Sequence, residues 1–468
     1  MSLDEVDFQT KILIIIPELT VYLDLAVAEA VGDKIRNVLK EDFGPLLDLA
    51  VRTWIYVLDN CSRDTRDRVG DVLEQMPGSE HIILRSIVQE LQLPMCYVEN
   101  LWFALDVILG CARHHDTMFE RFLDGGMVRW LCWSFKRMTL HRLLDLEISN
   151  DNEYLQAIAT CVHCLEAAFI DSYNWIPLAI SYDFLKAVIQ SGPFIAKRRS
   201  TLGGVALEES LHMVFETMKP FLLYRSVLRP FLWFVKSAQR LKPELYRQLI
   251  DMPPNTEYPD ICFPTTWKGF VTLAEERQES RRTANKEGEF ICSNLDCSLD
   301  STNAKLKQCS CCRAILYCSK KCQKSDWSEH REECEMLRSR AISGGRPAPW
   351  SQFDQDFFTY LTEDCGRRLL TSPQFRYSLE IDSNGFGDKI ITLDFRKNPP
   401  IMHFLTFEQY LIDSQTSNSH ILTAENYDEL VEETKTGYTL LLQGIFPGED
   451  GIPESVVTSV VEDDYDLD

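Results

Sequence analysis

The stretch 309-CSCCRAILYCSKKCQKSDWSEHREEC-334 concentrates thiols and an imidazole among lysines and glutamates. With Cys292 and Cys297 just upstream, half of the chain's 16 cysteines fall between positions 292 and 334. The ligand-type residues come in short-spaced pairs: Cys292 with Cys297, Cys309 with Cys312, Cys318 with Cys322, and His330 with Cys334. A knuckle of this length turns two side chains toward one point, which is what a tetrahedral zinc ion requires. The last two pairs are each one helical turn apart, so each is expected to project from one helix face. Asp326 with Glu329 offers a capping box at the start of the second of these helices. Eight ligands make two four-coordinate sites, and a segment of about 45 residues without a sizeable core depends on such staples. Iron–sulfur clusters suit a histidine ligand and helix-borne pairs less well. A chance cluster of eight reduced core cysteines does not explain four paired spacings.

This segment resembles the MYND-type zinc finger. The features that carry the resemblance are Tyr317–Cys318, Cys322, Gln323, Trp327, His330 and Cys334, following the earlier cysteine pairs. The resemblance implies two structural zinc ions bound in cross-braced order. Cys292, Cys297, Cys318 and Cys322 would hold one ion, and Cys309, Cys312, His330 and Cys334 the other. The first pair, 292-CSNLDC-297, is wider than the family usually shows. It looks like the form found in many MYND-finger proteins of mushroom-forming fungi. Cys311 falls on a non-ligand position and is expected as a free thiol beside the site. MYND fingers dock short proline-rich segments, and the family's peptide contacts map onto Ser310, Gln323 and Trp327. For Trp327 the competing expectation is simple packing. Lys320, Lys321 and Lys324 read as a solvated face or as steering for an acidic partner.

Outside the cluster the 468-residue chain has the 45% apolar content of a globular protein and a net charge of −23. So acidic a chain repels phosphate backbones and anionic lipid, which disfavours nucleic-acid and membrane-surface binding. The apolar run 12-ILIII-16 is short and has acidic flanks, unlike a secretory signal. No stretch approaches the roughly 20 apolar residues of a membrane helix. An intracellular protein with reduced thiols is expected, in the nucleus or the cytoplasm. The charge is uneven: residues 341–468 carry 8 basic and 23 acidic residues, whereas 292–340 carry 9 and 7.

The expected fold is mainly α. Residues 1–270 read as a helical domain of armadillo or HEAT type, because apolar residues recur at three- and four-residue steps in 96-CYVENLWFALDVILGCA-112 and 155-LQAIATCVHCLEAAFI-170. The phrases 119-FERFLDGGMVRWLCWSF-135 and 178-LAISYDFLKAVIQSGPFI-195 share a helix–turn–helix cadence; a plain irregular helical domain is the alternative. Gly and Pro are expected between helices, as at 124-DGG-126 and 191-SGP-193. Residues 271–291 read as a polar linker or solvated helix end, 292–334 as the finger, and 335–445 as a small α+β region with a strand at 388–395. An acidic tail is expected over 446–468.

Function follows from the site rather than from the fold. Zinc held by four protein ligands is structural and does no hydrolysis. The expectation is a non-enzymatic adaptor binding proline-rich partners by strand addition. The alternative is a diverged lysine methyltransferase, since some such enzymes carry this finger inserted in a SET domain. Helical sequence precedes the finger here, and no Asn-His-x-Cys motif follows it. The string 161-CVHC-164 lies in an apolar helical run and reads as core. His114 and His115 read as a cap or surface feature. No Gly-x-Ser-x-Gly elbow and no phosphate-cradling glycine loop is present. The segment 396-RKNPPIMHF-404 is of the type such fingers bind and could occupy its own finger, or could serve as a prolyl turn.

Overall fold

A computed structural model of the chain describes residues 98–114, 116–140, 151–252, 262–287, 292, 294, 297, 306–312, 315–342, 351–372, 389–406, 409, 439–448 and 454–461. The first 97 residues of the expected helical domain, His115 and the acidic end 462–468 lie outside them. Two units are distinguished, 1–130 and 131–468.

Most described residues are helical. The first unit contains α1 (Val98–His114), α2 (Asp116–Asp124) and the start of α3 (Met127–Met138). Its apolar periodicity is spent on burial: Leu105, Ile108, Phe122, Leu123 and Val128 are all shielded from solvent. The turn between α2 and α3 closes on Gly126, whose φ of +88° suits a residue without Cβ.

The second unit continues with α4 (Asp151–Asp171), α5 (Trp175–Ser181), α6 (Phe184–Arg198), α7 (Leu202–Met218), a 3₁₀ turn at Lys219–Leu223, α8 (Arg225–Leu241), α9 (Pro243–Ile250) and α10 (Phe263–Glu287). Phe215 is the centre of its aromatic core, with ring centroids 4.9 Å from Phe270, 5.3 Å from Trp267 and 5.5 Å from Phe263. Thr201 caps α7 by accepting from the Gly204 N–H at 3.1 Å. Glu208, fully buried on the same helix, is ion-paired to Arg199 and also accepts from the Phe263 N–H at 3.1 Å. That pairing makes a buried carboxylate tolerable.

Three boundaries differ from the sequence expectation. The stretch 191-SGP-193 lies inside α6 rather than ending a helix. Pro193 removes one N–H, but Phe184, Leu185, Val188, Ile189, Phe194 and Ile195 bury the helix along its length, and that burial outweighs the missing bond. The stretch from 271, expected as a linker or a solvated helix end, is helical through Glu287 as part of α10. Arg281 supplies the reason, because it pairs with the buried Asp354 and stacks at 4.1 Å over Phe357. The region from 446 is not all tail: 454-ESVVTSVV-461 forms a strand, favoured by its β-branched residues.

After the finger, α13 (Gln352–Thr371) begins with a capping box between Ser351 and Asp354. It packs on a sheet of β3 (Lys389–Asp394), β4 (Ile401–Thr406), β5 (Thr439–Phe446) and β6 (Glu454–Val461), in the order β4-β3-β5-β6. β3 runs parallel to β5, and β4 and β6 flank them antiparallel. Phe446 stacks between Phe358 at 4.0 Å and Phe395 at 4.7 Å. The helix lies so close to β5 that a Cβ on Gly444 would fall 2.2 Å from Thr362 Oγ1. Residues 401–404 of the segment 396–404 begin β4, whose residues are committed to β3 through the Asp394–Ile401 to Lys389–Thr406 register. Among the described residues, no helix is long and apolar enough to cross a membrane.

Candidate metal centre

The finger is built from very little regular structure. β1 (Lys307–Gln308) pairs antiparallel with β2 (Leu316–Tyr317), and the hairpin between them carries Cys309 and Cys312. Two short helices follow, α11 (Lys320–Ser325) and α12 (Trp327–Ile342). Ser319 starts α11 by accepting from the Cys322 N–H at 3.2 Å, so Cys318 sits before the helix and Cys322 within it. The expectation that both project from one helix holds only for His330 and Cys334, which lie on α12. The Asp326 carboxylate does not cap α12. It accepts from the Tyr317 hydroxyl, tying the hairpin to the turn between the helices.

Two quartets result. The ligand atoms of Cys292, Cys297, Cys318 and Cys322 lie within 4.8 Å of one another, as do those of Cys309, Cys312, His330 and Cys334. The spacings within them fit a cation. Cys297 Sγ is 3.6 Å from Cys318 Sγ, Cys318 Sγ 3.4 Å from Cys322 Sγ, and Cys309 Sγ 3.8 Å from Cys334 Sγ. Tetrahedral zinc with bonds of ~2.3 Å places its sulfurs ~3.8 Å apart. In the second quartet, His330 Nε2 is 3.4 Å from Cys312 Sγ. Cys309, Cys312, His330 and Cys334 are buried, whereas Cys297 and Cys318 keep some exposure.

The thiols differ in proton demand. Burial works to raise Cys309, but the Cys312 and Cys311 backbone N–H groups and His330 outweigh it and bring the thiol down to about 6. The Ser319 hydroxyl, helped by Asn294 and Cys318, brings Cys322 down to about 6. The hydrogen bond with Cys322, then burial, pushes Cys318 up to about 12. Burial, then Cys311 and Cys309, raise Cys334 well above the ordinary thiol range. Within each quartet one thiol is thus drawn down and a neighbouring one pushed up. A divalent cation at the centre would take all of them as deprotonated ligands. The two Cys₄ and Cys₃His clusters could hold two zinc ions.

The MYND finger family profile matches residues 290–334. Residues 290–334 are a MYND finger. Similar stretches occur in SET domain-containing protein 14 of Caenorhabditis elegans, 47% identical over 36 residues, and in Histone-lysine N-methyltransferase SMYD3 of Mus musculus, 57% identical over 35. Each alignment covers 8% of this chain and 8% of the relative. SET domain and MYND-type zinc finger protein 6 of Schizosaccharomyces pombe is 38% identical over 63 residues, 11% of this chain and 13% of its own. The chain thus matches only a small part of these curated relatives. No solved structure matches it significantly.

Around the MYND finger's ligands stand residues that the spacing rules did not single out. Asn294 is buried, and its side chain helps to lower the Cys322 thiol. Its place inside 292-CSNLDC-297 was the available signal, since a polar residue inside a ligand pair faces the metal shell. Ser319 was legible as a helix cap between two cysteines. Of the expected peptide residues, Ser310 and Trp327 are exposed and Gln323 is half-buried, its Nε2 donating to Cys309 Sγ at 3.4 Å. Trp327 meets His330 edge-on, with centroids 6.0 Å apart.

Elsewhere the tempting motifs resolve as structure. Cys161 and Cys164 are fully buried in α4, and the Cys161 thiol donates to the Leu131 carbonyl at 3.4 Å. Ser210, His163 and Glu166 form a hydrolase-like chain, with Ser210 Oγ 2.9 Å from His163 Nε2 and Nδ1 3.1 Å from Glu166. Ser210 is fully buried in mid-helix and its hydroxyl donates to Ala206 at 2.7 Å, so no substrate carbonyl reaches it. The chain ties α4 to α7.

Proposed function

We propose that this protein is a non-enzymatic, zinc-dependent adaptor. Cys292, Cys297, Cys318 and Cys322 hold one structural zinc; Cys309, Cys312, His330 and Cys334 hold the other. The finger then docks a short proline-rich segment of a partner protein, in a transcriptional or signalling complex. The helical region acts as an armadillo-like support. The helix–short turn–helix form of α2 with α3 and of α5 with α6 favours that reading.

The observation that carries the proposal is Trp327. A tryptophan in a metal-pinned minidomain would ordinarily be buried, yet 39% of this residue faces solvent. It stands at the first position of α12, with Ser310 exposed on the hairpin of the same finger. β1, whose two residues are exposed, is paired to β2 alone among the described strands. An aromatic face beside a short hairpin is what an extended proline-containing peptide uses.

Fluorescence anisotropy of a labelled proline-rich, leucine-containing peptide against the zinc-loaded full chain tests this. Saturable binding that Trp327→Ala abolishes, with zinc content unchanged, is expected. Binding that survives Trp327→Ala would make the finger a staple, not a docking module.

A methyltransferase is the second reading, favoured by the names of two of the relatives. Their likeness to this chain covers the finger and little more. Calorimetric titration with S-adenosylmethionine separates the two: binding would favour the enzyme, and none at millimolar cofactor is expected.

A further inference from the structure

A cleft of about 350 Å³ opens between α8, α10 and the start of α13. Arg225 and Arg229 line it from α8 and Arg281 and Arg282 from α10, with Leu228 and Phe353 as its apolar wall. Among the described residues its lining contains four guanidinium groups and no carboxylate. That is unexpected in a chain with a net charge of −23, where carboxylates are plentiful enough to pair every arginine.

The one buried carboxylate behind the wall is already in use. Asp354 accepts from Arg281 and from the Arg225 backbone N–H through Oδ1, and from the Ser351 N–H and hydroxyl through Oδ2. Arg281 is held by Asp354, by the Leu223 carbonyl and by the Phe353 carbonyl at 3.3 Å, while its buried Nε has no partner. Arg282 pairs with Glu279 at 2.9 Å. Arg225 and Arg229 pair with no carboxylate side chain among the described residues. Arg225 instead places its Cζ over the Phe353 ring, 4.4 Å from its centroid, a cation–π contact. Burial and the neighbouring Arg229 lower its affinity for its own proton, and Asp354 only partly offsets them.

We propose that this cleft binds the phosphate group of an organic phosphate, with Arg225 and Arg229 supplying the charge and Leu228 and Phe353 receiving the adjoining apolar or aromatic part. Guanidinium forks match phosphate oxygens bidentately, and a dianion meets two unpaired arginines where a single carboxylate leaves one unmet. The Gln278 amide, also in the lining, offers a further donor. The volume suits one small ligand or one modified side chain and excludes a duplex backbone. This site is independent of the finger and stands or falls separately from it.

Calorimetric titration of the zinc-loaded full chain with phenyl phosphate, benzoate and a tyrosine-phosphorylated peptide tests the proposal. Phenyl phosphate is expected to bind, and benzoate about tenfold more weakly or not at all. Arg229→Gln, at an exposed position, should weaken phenyl phosphate about tenfold without changing the melting temperature, and Arg229→Lys should lose less. A peptide tighter than phenyl phosphate identifies a phosphorylated side chain as the natural source; equal or weaker binding identifies a free organic phosphate. No binding of either phosphate at ~10 mM overturns the proposal, as does unchanged affinity in both Arg229→Gln and Arg225→Gln.

Discussion

Gln323 donates from its amide to Cys309 Sγ at 3.4 Å, so a residue on the expected peptide face also holds a member of the buried quartet. One side chain therefore couples the recognition surface to the metal shell. Groups that hydrogen-bond to metal ligands orient them and tune their basicity.

Gln323→Ala is accordingly expected to weaken zinc retention as well as peptide binding. Competition with a chromogenic chelator should show one of two zinc equivalents released about tenfold more readily. Trp327→Ala should leave that release unchanged. Equal chelator curves for Gln323→Ala and the unaltered chain would reduce the contact to packing.

Removing a ligand should separate the quartets. Cys334→Ala is expected to retain one zinc per chain, measured by elemental analysis after gel filtration, because the two groups share no ligand. Loss of both ions would show instead that the finger folds as a single cooperative unit. Acidification should release the metal, since thiolates must be deprotonated to bind.

The Ser319 hydroxyl both caps α11 and faces the first quartet. Ser319→Ala should cost about 1 kcal/mol through the lost cap. Faster amide exchange at Cys322 in the zinc-loaded chain would report it; unchanged exchange would mean that the metal alone holds the turn.

Arg281 and Asp354 join α10 to α13 through a buried ion pair. Arg281→Met leaves a buried carboxylate without its charged partner and should destabilise the second unit by about 3 kcal/mol, read from urea unfolding. A cost below about 1 kcal/mol would show that Asp354 is satisfied by Ser351 and the Arg225 N–H alone.

Burial pushes the Asp356 carboxyl up to about 7, and its Oδ2 is buried without a partner. Its folded-state value is raised, so the associated stability is complete below the ordinary carboxylate range. It is lost as pH rises toward 7, because only the unfolded chain ionises freely there. Asp356→Asn should therefore raise the melting temperature at pH 8 and leave it nearly unchanged at pH 3. A larger gain at pH 3 would contradict the sign.

The helical character of 155–170 and the clustering of eight ligand-type residues were legible because both are local. A 3.6-residue apolar period and a two-to-four-residue knuckle are properties of a few neighbouring side chains. The Asp326 cap was misread for the opposite reason. Its carboxylate had two local uses, and the choice of Tyr317 depended on a hairpin nine residues earlier. The strand at 454–461 was hidden likewise, because the acidic neighbours of 454-ESVVTSVV-461 signal solubility until β5 offers an edge.

The sequence by itself determined that this chain carries a MYND finger, since metal chemistry admits few residue types and few spacings. It also determined that most of the described residues outside the finger would be helical. Only the tertiary structure decided that the polar stretch after 271 is a helix anchored by Arg281, that Gln323 leans on Cys309, and that four arginines share one cleft. Each of these depends on groups far apart in the chain, or on the plane of a side chain, and local propensity carries no record of either.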